Sequence, residues 1–426
     1  MHNRNTTNYD LVIVGGGASG LAAAISAKFT SLKLNKSYKI AILEKSKKLG
    51  NSILKTGNGR CNFSNINISS ENTKDYNNPN FVKSIFDVAD YKTKKYELFE
   101  NNERLNATLK MFNYLGLACS IENEGRMYPY TNKSETIVNL LTQEINLLNI
   151  DTYLEYEVDH IEKCPSTRYF NIISSSDSTS INSKKIIFSA NNRSILPKTF
   201  SNDIIPIKNI LGPLKTNKSL VSKFDGIRAH AGVSLYSSKN TLLHREIGEI
   251  LFRKYGVSGI CIFNLSRFVA KNAKHQLLID FFPEQSEKQL LFILNEKFNK
   301  LANFSNTIDI RFLLSGLILP QVSKFLFLDI VANISSVKKE DLKKIVFRLK
   351  NFKLKVEGIK DPKLCQIKRG GINVDLLDSK SLSHNYDNDF YFSGEIIDVD
   401  GPCGGYNLHW AWTSGILSGI SAIENL

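Results

Sequence analysis

Hydrophobic positions follow two rhythms along this chain, and the order in which they alternate predicts its opening architecture. Tyr9 to Val14 reads YDLVIV, a short apolar run that stops at Gly15-Gly16-Gly17-Ala18-Ser19-Gly20 and gives way to the helix-forming stretch Leu21 to Phe29. That is strand, glycine turn, helix. After a polar spacer, Tyr38 to Leu43 (YKIAIL) makes a second apolar strand, which ends at Glu44. A strand–helix–strand unit within one sheet takes parallel pairing and a right-handed crossover by default, so the chain opens as α/β.

Asn-rich loops (Asn62 to Asn80) then alternate with predicted helices over Lys95 to Leu115 and Ser134 to Leu148, the second with Ser134 in the N-cap position. From Asp151 the period changes to two. TYLEYEVDHI, YFNIIS and KKIIFSA are short strands separated by Ser, Asn and Asp, the pattern of a meander. Strands with turn residues continue beyond Pro197 to about Leu265, followed by a helical block that includes Ser286 to Leu301 and Ser336 to Leu349. In the last of these, Leu342, Ile345, Val346 and Leu349 share one face while Lys343, Lys344 and Arg348 point elsewhere. The C-terminal segment returns to strand (FYFSG), glycine loop and helix (His409 to Ile420). No internal repeat has a fixed period. The expected organisation is one α/β domain built from residues 1–194 and 370–426, interrupted by a strand-rich part over 195–266 and a helical, basic part over 267–369.

Composition narrows the class. With 426 residues, 42% of them hydrophobic and 23% charged, the chain is globular and long enough for two or three domains. Its net charge of +14 is unevenly placed: 30 basic and 14 acidic residues lie between Ile195 and Gly370, and the remainder is close to neutral. Three partners suit such an insert: a carboxylate substrate, a pyridine-nucleotide phosphate, or nucleic acid. Lys338, Lys339, Lys343, Lys344, Lys353 and Lys355 are spread as on a solvated surface, and no aromatic-interleaved RNA-binding strand occurs, so nucleic acid ranks last. Met1 to Asp10 is polar, and no run approaches 18 uninterrupted apolar residues, so the expectation is a cytoplasmic protein without a signal peptide or membrane span. Six scattered cysteines without a CxxC pair argue against a disulfide scaffold, a zinc ribbon and a dithiol centre. The seven histidines have no paired spacing, and no metal is predicted. Oligomeric state leaves no signature.

The glycines carry the chemistry. Gly15, Gly17 and Gly20 form GxGxxG directly after a strand and at the opening of a helix, with an acid closing the next strand. Gly15 permits the tight turn, Gly17 lets backbone approach a pyrophosphate, Gly20 lets helix pack on strand, and the helix N-terminus attracts phosphate. Glu44 would accept hydrogen bonds from ribose hydroxyls and repel a 2′-phosphate, which favours FAD or NAD over NADP. Ala18, Ser19 and Lys45 complete this end of the candidate site. A second polar glycine loop, TGNGRCNFSN, places Gly59, Arg60, Cys61 and Asn62 where a longer cofactor continues, and Val158 in the meander joins the same set. At the far end, FYFSGE closes a strand on Gly394-Glu395, and GPCGGYN brings Gly404, Gly405, Tyr406 and Asn407 before a helix. A dinucleotide domain completed by the last segment suits FAD better than NAD alone.

These segments carry a family resemblance. GGGASGLAAA, LEKSKKLG, TGNGRCNFSN, LFRKYGVSG and YFSGEIIDVDGPCGGYNLHWAWTSG are similar to the BaiN-like, or aminoacetone oxidase, family of FAD-binding flavoproteins over nearly the whole chain. The resemblance implies a glutathione-reductase-type FAD-binding Rossmann domain, discontinuous in sequence, with an inserted β-barrel-like and helical domain assigned to substrate access. It also implies NAD(P)-linked or oxygen-linked redox chemistry, with steroid-acid reduction proposed for one branch. Departures are local: Ser52 stands where Lys is usual, Ser189-Ala190-Asn191-Asn192 replaces an ATGG-like turn, Arg253-Lys254 replaces Thr-His, Ile260 replaces Pro, and a glycine-rich stretch is missing between Pro197 and Pro206.

Several residues keep two readings. Cys61 is a redox thiol or a packed one; without a neighbouring cysteine, disulfide reduction is disfavoured. Arg60 is expected on a phosphate or on flavin, since its glycine neighbours leave it little to pack against. His409 is a proton donor or a polar helix-start residue, and Tyr406 stacks beside flavin or fills core. Lys254, with Arg253, clamps an anion or forms a solvated turn. The function expected is an FAD-dependent oxidoreductase, with NAD(P)H as candidate electron donor and a small anionic organic molecule as substrate. The alternative is an FAD-binding protein with lost catalysis whose basic insert binds RNA or an acidic partner.

Overall fold

The computed structural model describes residues 6–99, 104–174, 180–270, 274–302, 310–327 and 337–426. Ser336, the expected start of the basic helix, lies outside them. The chain divides into two compact units, Met1–Lys208 with Lys368–Leu426, and Asn209–Ile367.

The first unit begins with β1 (Thr6–Val14), α1 (Ala18–Lys33) and β2 (Ile40–Leu43), as the apolar runs predict. Next come β3 (Ser64–Asn65), α2 (Pro79–Lys95) and α3 (Ala107–Tyr114). Of the continuous helix expected over Lys95 to Leu115, only α3 is found, since α2 ends at Lys95. Glu97 turns the chain with φ +46°, and Asn106 caps the new helix by accepting from the Leu109 amide at 3.0 Å. Strands β4 (Cys119–Ile121) and β5 (Arg126–Pro129) complete a small antiparallel sheet in the order β3-β5-β4. In α4 (Ser134–Leu147), Ser134 is not the cap; its hydroxyl donates to the Leu54 carbonyl at 3.1 Å. The meander follows as β6 (Asp151–Tyr153), β7 (His160–Lys163), β8 (Phe170–Ile173) and β9 (Ser180–Phe188), and then β10 (Ile204–Ile210).

The second unit contains β11 (Leu214–Thr216), α5 (Lys218–Val221), β12 (Arg228–Tyr236), β13 (Leu242–Arg253), β14 (Gly256–Ser258), α6 (Ile260–Ser266), β15 (His275–Asp280), α7 (Glu287–Ala302), α8 (Ile310–Leu313), α9 (Pro320–Leu326), α10 (Lys339–Lys350) and β16 (Phe352–Ile359). Six strands close into an antiparallel barrel in the order β11-β14-β13-β12-β15-β16, filled by Val233, Leu235, Ile250, Phe252, Leu277 and Leu354. Two of these strands lie within the stretch expected to be helical. HQLLID and FKLKVEGI alternate buried and exposed positions, a period of two that the surrounding helical signal masks. Leu290, Leu294, Leu342, Ile345 and Leu349 form a separate apolar cluster beneath α7 and α10.

The chain re-enters the first unit through β17 (Ile367–Ile372), which pairs with β10, and ends with β18 (Ser383–His384), β19 (Asp387–Phe392) and α11 (Tyr406–Glu424). The main sheet runs β18-β19-β9-β1-β2-β6, with β8 and β7 added beside β9. Its centre is parallel, and the C-terminal half of β1 (Leu11 to Val14) and all of β2 are buried, as strands covered on both faces must be. The register aligns Val14 with Leu43 and with Phe188, and Phe188 with Phe392, so four strands end along one edge. Among the described residues, no helix is long and apolar enough to cross a membrane.

Helices α1 and α11 pack at backbone contact. A Cβ at Gly415 would stand 2.3 Å from the Ser19 carbonyl oxygen, and one at Gly419 equally close to the Ala23 carbonyl oxygen and the Ser26 hydroxyl. Ser26 donates across the seam to the Ile416 carbonyl at 3.2 Å. Gly415→Val should therefore destabilise the protein by on the order of 3 kcal/mol through overpacking, measured by urea unfolding, whereas Ser418→Ala should cost less than about 1 kcal/mol.

Candidate functional site

Each of the four aligned strand ends leads into a segment singled out from sequence. Val14 continues into the glycine turn and Leu43 into Glu44, while Phe188 and Phe392 continue into Ser189 and Ser393. Backbone hydrogen bonds lock these exits together: Gly15 N to Leu43 O at 2.8 Å, Ser189 N to Val14 O at 2.9 Å and Ser393 N to Phe188 O at 3.1 Å. The Ser189 and Ser393 hydroxyls meet at 2.6 Å. Open parallel sheets bind ligands at the carboxyl ends of their strands, where helix N-termini and irregular backbone supply unpaired donors.

At the first exit Gly15 has φ +107°, and a Cβ at Gly20 would lie 1.9 Å from the Gly15 carbonyl oxygen, so helix and turn meet without side chains between them. Gly17, the N-cap of α1, has an ordinary φ of −83°, and no side chain caps the helix. A Cβ there would meet only the Ser52 hydroxyl, at 3.2 Å. Room beside an uncapped first turn is what a pyrophosphate requires. Ala18 and Ser19 belong to that turn. The Glu44 carboxylate accepts from Gly16 N at 2.7 Å and from Ser46 N at 2.8 Å, and each oxygen keeps a second acceptor position for a ribose hydroxyl. Lys45 beside it is exposed. The segment leading to buried Val158 runs along the same place, with Tyr156 N on the Glu44 carbonyl at 3.0 Å.

The second loop is more enclosed than its glycines suggest. Gly59 has φ +83° with nothing within 4 Å of a Cβ position, which leaves its backbone open to a ligand. Asn62 is consumed internally, its amide donating to the Ser64 and Met127 carbonyls. Cys61 is fully buried and burial pushes its thiol up to about 11, against a hydrogen bond with Thr56 that acts the other way. A thiol held neutral is a poor nucleophile, so the structure favours the packed reading. Arg60 corrects the expectation that it has little to pack on. Its guanidinium lies 4.1 Å over the Tyr128 ring, pairs with Glu122 and donates through Nε to Asn132 at 2.9 Å.

At the C-terminal loop, Gly404 and Gly405 both have left-handed φ, and a Cβ at Gly405 would sit 2.2 Å from the Ser64 carbonyl oxygen. Asn407 closes the loop by accepting from Gly401 N and donating to Gly401 O. Tyr406 packs edge-on against Tyr76, whose hydroxyl donates to the Tyr406 carbonyl at 3.0 Å. Gly394 presses on Ser19, its Cβ position 2.3 Å from the serine hydroxyl. Both Glu395 oxygens are engaged, by Asn191 Nδ2 and by the Lys368 amide, each at 2.7 Å. Glu395 thus braces the loop, and Asn191, a departure from the family pattern, supplies its partner. His409 is 1% exposed, with Nδ1 2.8 Å from the Ser64 hydroxyl, and burial lowers its pKa to about 3. Its burial and neutral state favour the packing reading over that of a proton donor. Lys254 belongs to the second unit, exposed on the turn between β13 and β14, with its amide on Asp225.

Sequence reasoning missed three groups. Arg126, on β5, has a buried Nε 3.7 Å from the Cβ position of Gly404, and its other end pairs with Glu124. Arg369 holds buried Asp400 through two hydrogen bonds, at 2.6 and 2.8 Å. Asn77 accepts from Asp400 N at 2.8 Å and donates to the Asp398 carbonyl at 3.1 Å, which ties the Asn-rich loop to the C-terminal one. No local motif marks them, because each is defined by a partner distant in sequence. Among the described residues, no group of three or more His, Cys, Asp or Glu side chains could hold a metal ion.

The buried imidazole makes a pH prediction. A histidine in the unfolded chain titrates near about 6.5, and His409 titrates far lower when folded. Below that value the unfolded chain takes up a proton that the folded chain refuses, so this stability is present at neutral pH and lost as pH falls. A His409→Asn variant should lose less stability than wild type between about pH 7 and pH 5 in urea unfolding. Parallel curves would assign the acid sensitivity to other groups.

Comparison with known proteins finds relatives over nearly the whole chain. The chain is 26% identical over 431 residues to the 3-dehydro-bile acid delta(4,6)-reductase of Clostridium scindens, covering 97% of this chain and 98% of the relative. It is 25% identical over 423 residues to the ribosomal RNA dihydrouridine synthase of Haemophilus influenzae, covering 96% and 97%. Among solved structures, a variant of E. coli quinol fumarate reductase is similar at a TM-score of 0.44 and 14% identity, covering 99% of this chain and 70% of that one. The HI0933-like protein Rossmann domain family matches residues 9–421. The chain belongs to that family, and its fold is an α/β Rossmann FAD-binding oxidoreductase fold with an inserted closed barrel and helical region.

Proposed function

We propose that this protein is an FAD-dependent reductase that takes electrons from NAD(P)H and delivers them to an electron-poor carbon–carbon double bond of an organic substrate. The observation that carries the reading is the alignment of four strand ends, which brings the GxGxxG turn and Glu44 to the same edge as the Ser393–Glu395 segment. Two relatives bear on the acceptor. A delta(4,6)-reductase and a dihydrouridine synthase are both named for adding hydrogen across a double bond conjugated to a carbonyl. FAD, when bound, supplies a two-electron carrier between donor and acceptor.

The chain's own residues orient and charge that site. Glu44 fixes the turn and would hold a ribose, and the uncapped first turn of α1 would hold phosphate. Arg126 beside Gly404 adds positive charge near the start of α11, where negative charge on a reduced carrier would be favoured. Cys61 and His409 pack rather than exchange protons at neutral pH. The expected substrate class is a small anionic molecule, for which the positive charge of the insert is the support.

Purified protein should show the two-banded visible absorbance of oxidised flavin. Anaerobic NADH or NADPH should bleach it, and an α,β-unsaturated carbonyl compound should restore it. Protein that stays colourless after incubation with FAD would sink the cofactor assignment. Bleaching that only oxygen reverses would sink the acceptor class.

Gly17→Val separates cofactor binding from folding. The added Cβ meets only Ser52 in the protein, and the side chain would stand in the proposed pyrophosphate path. The variant should keep wild-type circular dichroism and lose FAD affinity by at least about a hundredfold, a loss of roughly 3 kcal/mol, in fluorescence titration.

A further inference from the structure

The proposed reduction leaves its proton unassigned. Saturating a double bond conjugated to a carbonyl adds hydride at the β-carbon and a proton at the α-carbon, and Cys61 and His409 are fully buried against other protein groups. The β3-β5-β4 sheet supplies another acid. Arg126 and Tyr128 are two positions apart on β5 and share one face, while Met127 between them takes the other. Arg126 Nε is buried with no hydrogen-bond partner among the described residues, and it lies 3.7 Å from the Cβ position of Gly404. Tyr128 Cε1 lies 3.6 Å from the Cβ position of Gly57. Gly57 and Gly404 have left-handed φ, +54° and +110°, so this face of β5 meets the two loops that carry bare backbone toward the candidate site.

The surroundings of Tyr128 suit an acid. The Arg60 guanidinium lies 4.1 Å over its ring, and Arg126 is the second cation acting on its hydroxyl. Glu122 holds Arg60 and Glu124 holds Arg126, both from the turn between β4 and β5. Burial raises the Tyr128 pKa and Glu122 adds to it, whereas Arg126 and Arg60 pull it down. The balance is upward, so the hydroxyl keeps its proton at neutral pH. A phenolate left after donation would have two guanidinium groups beside it, which offset the cost of a buried anion. An orphaned buried Nε is what such a site leaves unpaired until an anion forms.

We propose that Tyr128 donates the proton to the substrate α-carbon and that Arg126 is its positioning residue, an inference that rests on the reductase reading. Hydride supplied through FAD forms the new bond at the β-carbon and leaves an enolate. The α-carbon of the enolate takes the proton as the Tyr128 O–H bond breaks, and the phenolate regains a proton from water when the product leaves. The electron pair comes from NAD(P)H and the proton ultimately from solvent, so each turnover balances.

The test follows each half-reaction by anaerobic stopped-flow absorbance of full-length FAD-loaded protein, with NAD(P)H as donor and a cyclohexenone carboxylate as acceptor. Tyr128→Phe keeps the ring under Arg60. It should slow the acceptor-driven return of flavin absorbance roughly 100- to 1,000-fold, while bleaching by NAD(P)H keeps the wild-type rate. Arg126→Gln should slow the same step about tenfold. NMR of the same protein, carbon-labelled at the tyrosine ζ position, gives a readout independent of turnover. The Tyr128 resonance, identified by its loss in Tyr128→Phe, should titrate at higher pH in Arg126→Gln than in wild type, because a cation that favours the phenolate is gone. Absorbance that returns in Tyr128→Phe as fast as in wild type, or a variant that slows both half-reactions alike, would overturn the proposal and leave the reductase reading standing. So would a Tyr128 titration that Arg126→Gln does not move. Wild-type protein that the enone fails to reoxidise removes the reading itself, and the proposal with it.

Discussion

The first turn of α1 lies so close to the turn after β1 that a methyl group at Gly20 would stand 1.9 Å from the Gly15 carbonyl oxygen. That proximity directs the amides of the first turn toward the sheet edge and lets α1 lie flat enough for α11 to reach it through Gly415 and Gly419. The seam in turn fixes the start of α11 and the loop before it. Gly394 abuts Ser19, and its amide donates to Ser414 on α11 at 2.9 Å. Segments separated by the whole sequence are thus held to one another by backbone contact, which no side-chain adjustment can loosen.

A consequence is that the acids expected to hold a ligand also hold the loops that present it. Glu44 accepts from one amide of the glycine turn after β1 and one of its own turn, and Glu395 braces residues 191 and 368. Buried carboxylates are tolerable only when hydrogen-bonded, and loop amides are the donors nearest to hand. The site is therefore a scaffold of carboxylate-fixed turns whose ligand-facing groups are largely backbone. Such a scaffold binds a dinucleotide whatever chemistry the rest of the protein performs.

How much of this was legible follows from how local each determinant is. The β1–turn–α1–β2 unit and the α11 loop are contiguous patterns of apolar runs and glycines, and the structure places them at one edge as the pattern implies. The packing of Arg60 is not legible locally because its ring partner Tyr128 and its ion-pair partner Glu122 lie on a different hairpin. Arg126, Arg369 and Asn77 were missed for the same reason. The barrel strands β15 and β16 escaped because each is short and embedded among helices with stronger periodicity, and only pairing with β12 and β11 reveals them. His409 illustrates the converse. From sequence a polar residue at a helix start keeps two readings, and only its burial against Ser64 and Phe86 weighs toward packing.

The charge of the insert has the same dependence on tertiary context. Counted along the sequence, its lysines look uniformly solvated, yet the fold sorts them. Lys350 is drawn inward to Asp280 and to the Phe282 and Gln285 carbonyls, where it anchors the end of α10 to β15. Lys215 and Arg228 are matched by acids. Lys353 and Lys355 stay outside, because barrel closure forces alternate residues of β16 outward while their neighbours fill the core. A sequence-wide excess of positive charge therefore becomes informative only once pairing has removed the cations that serve the fold.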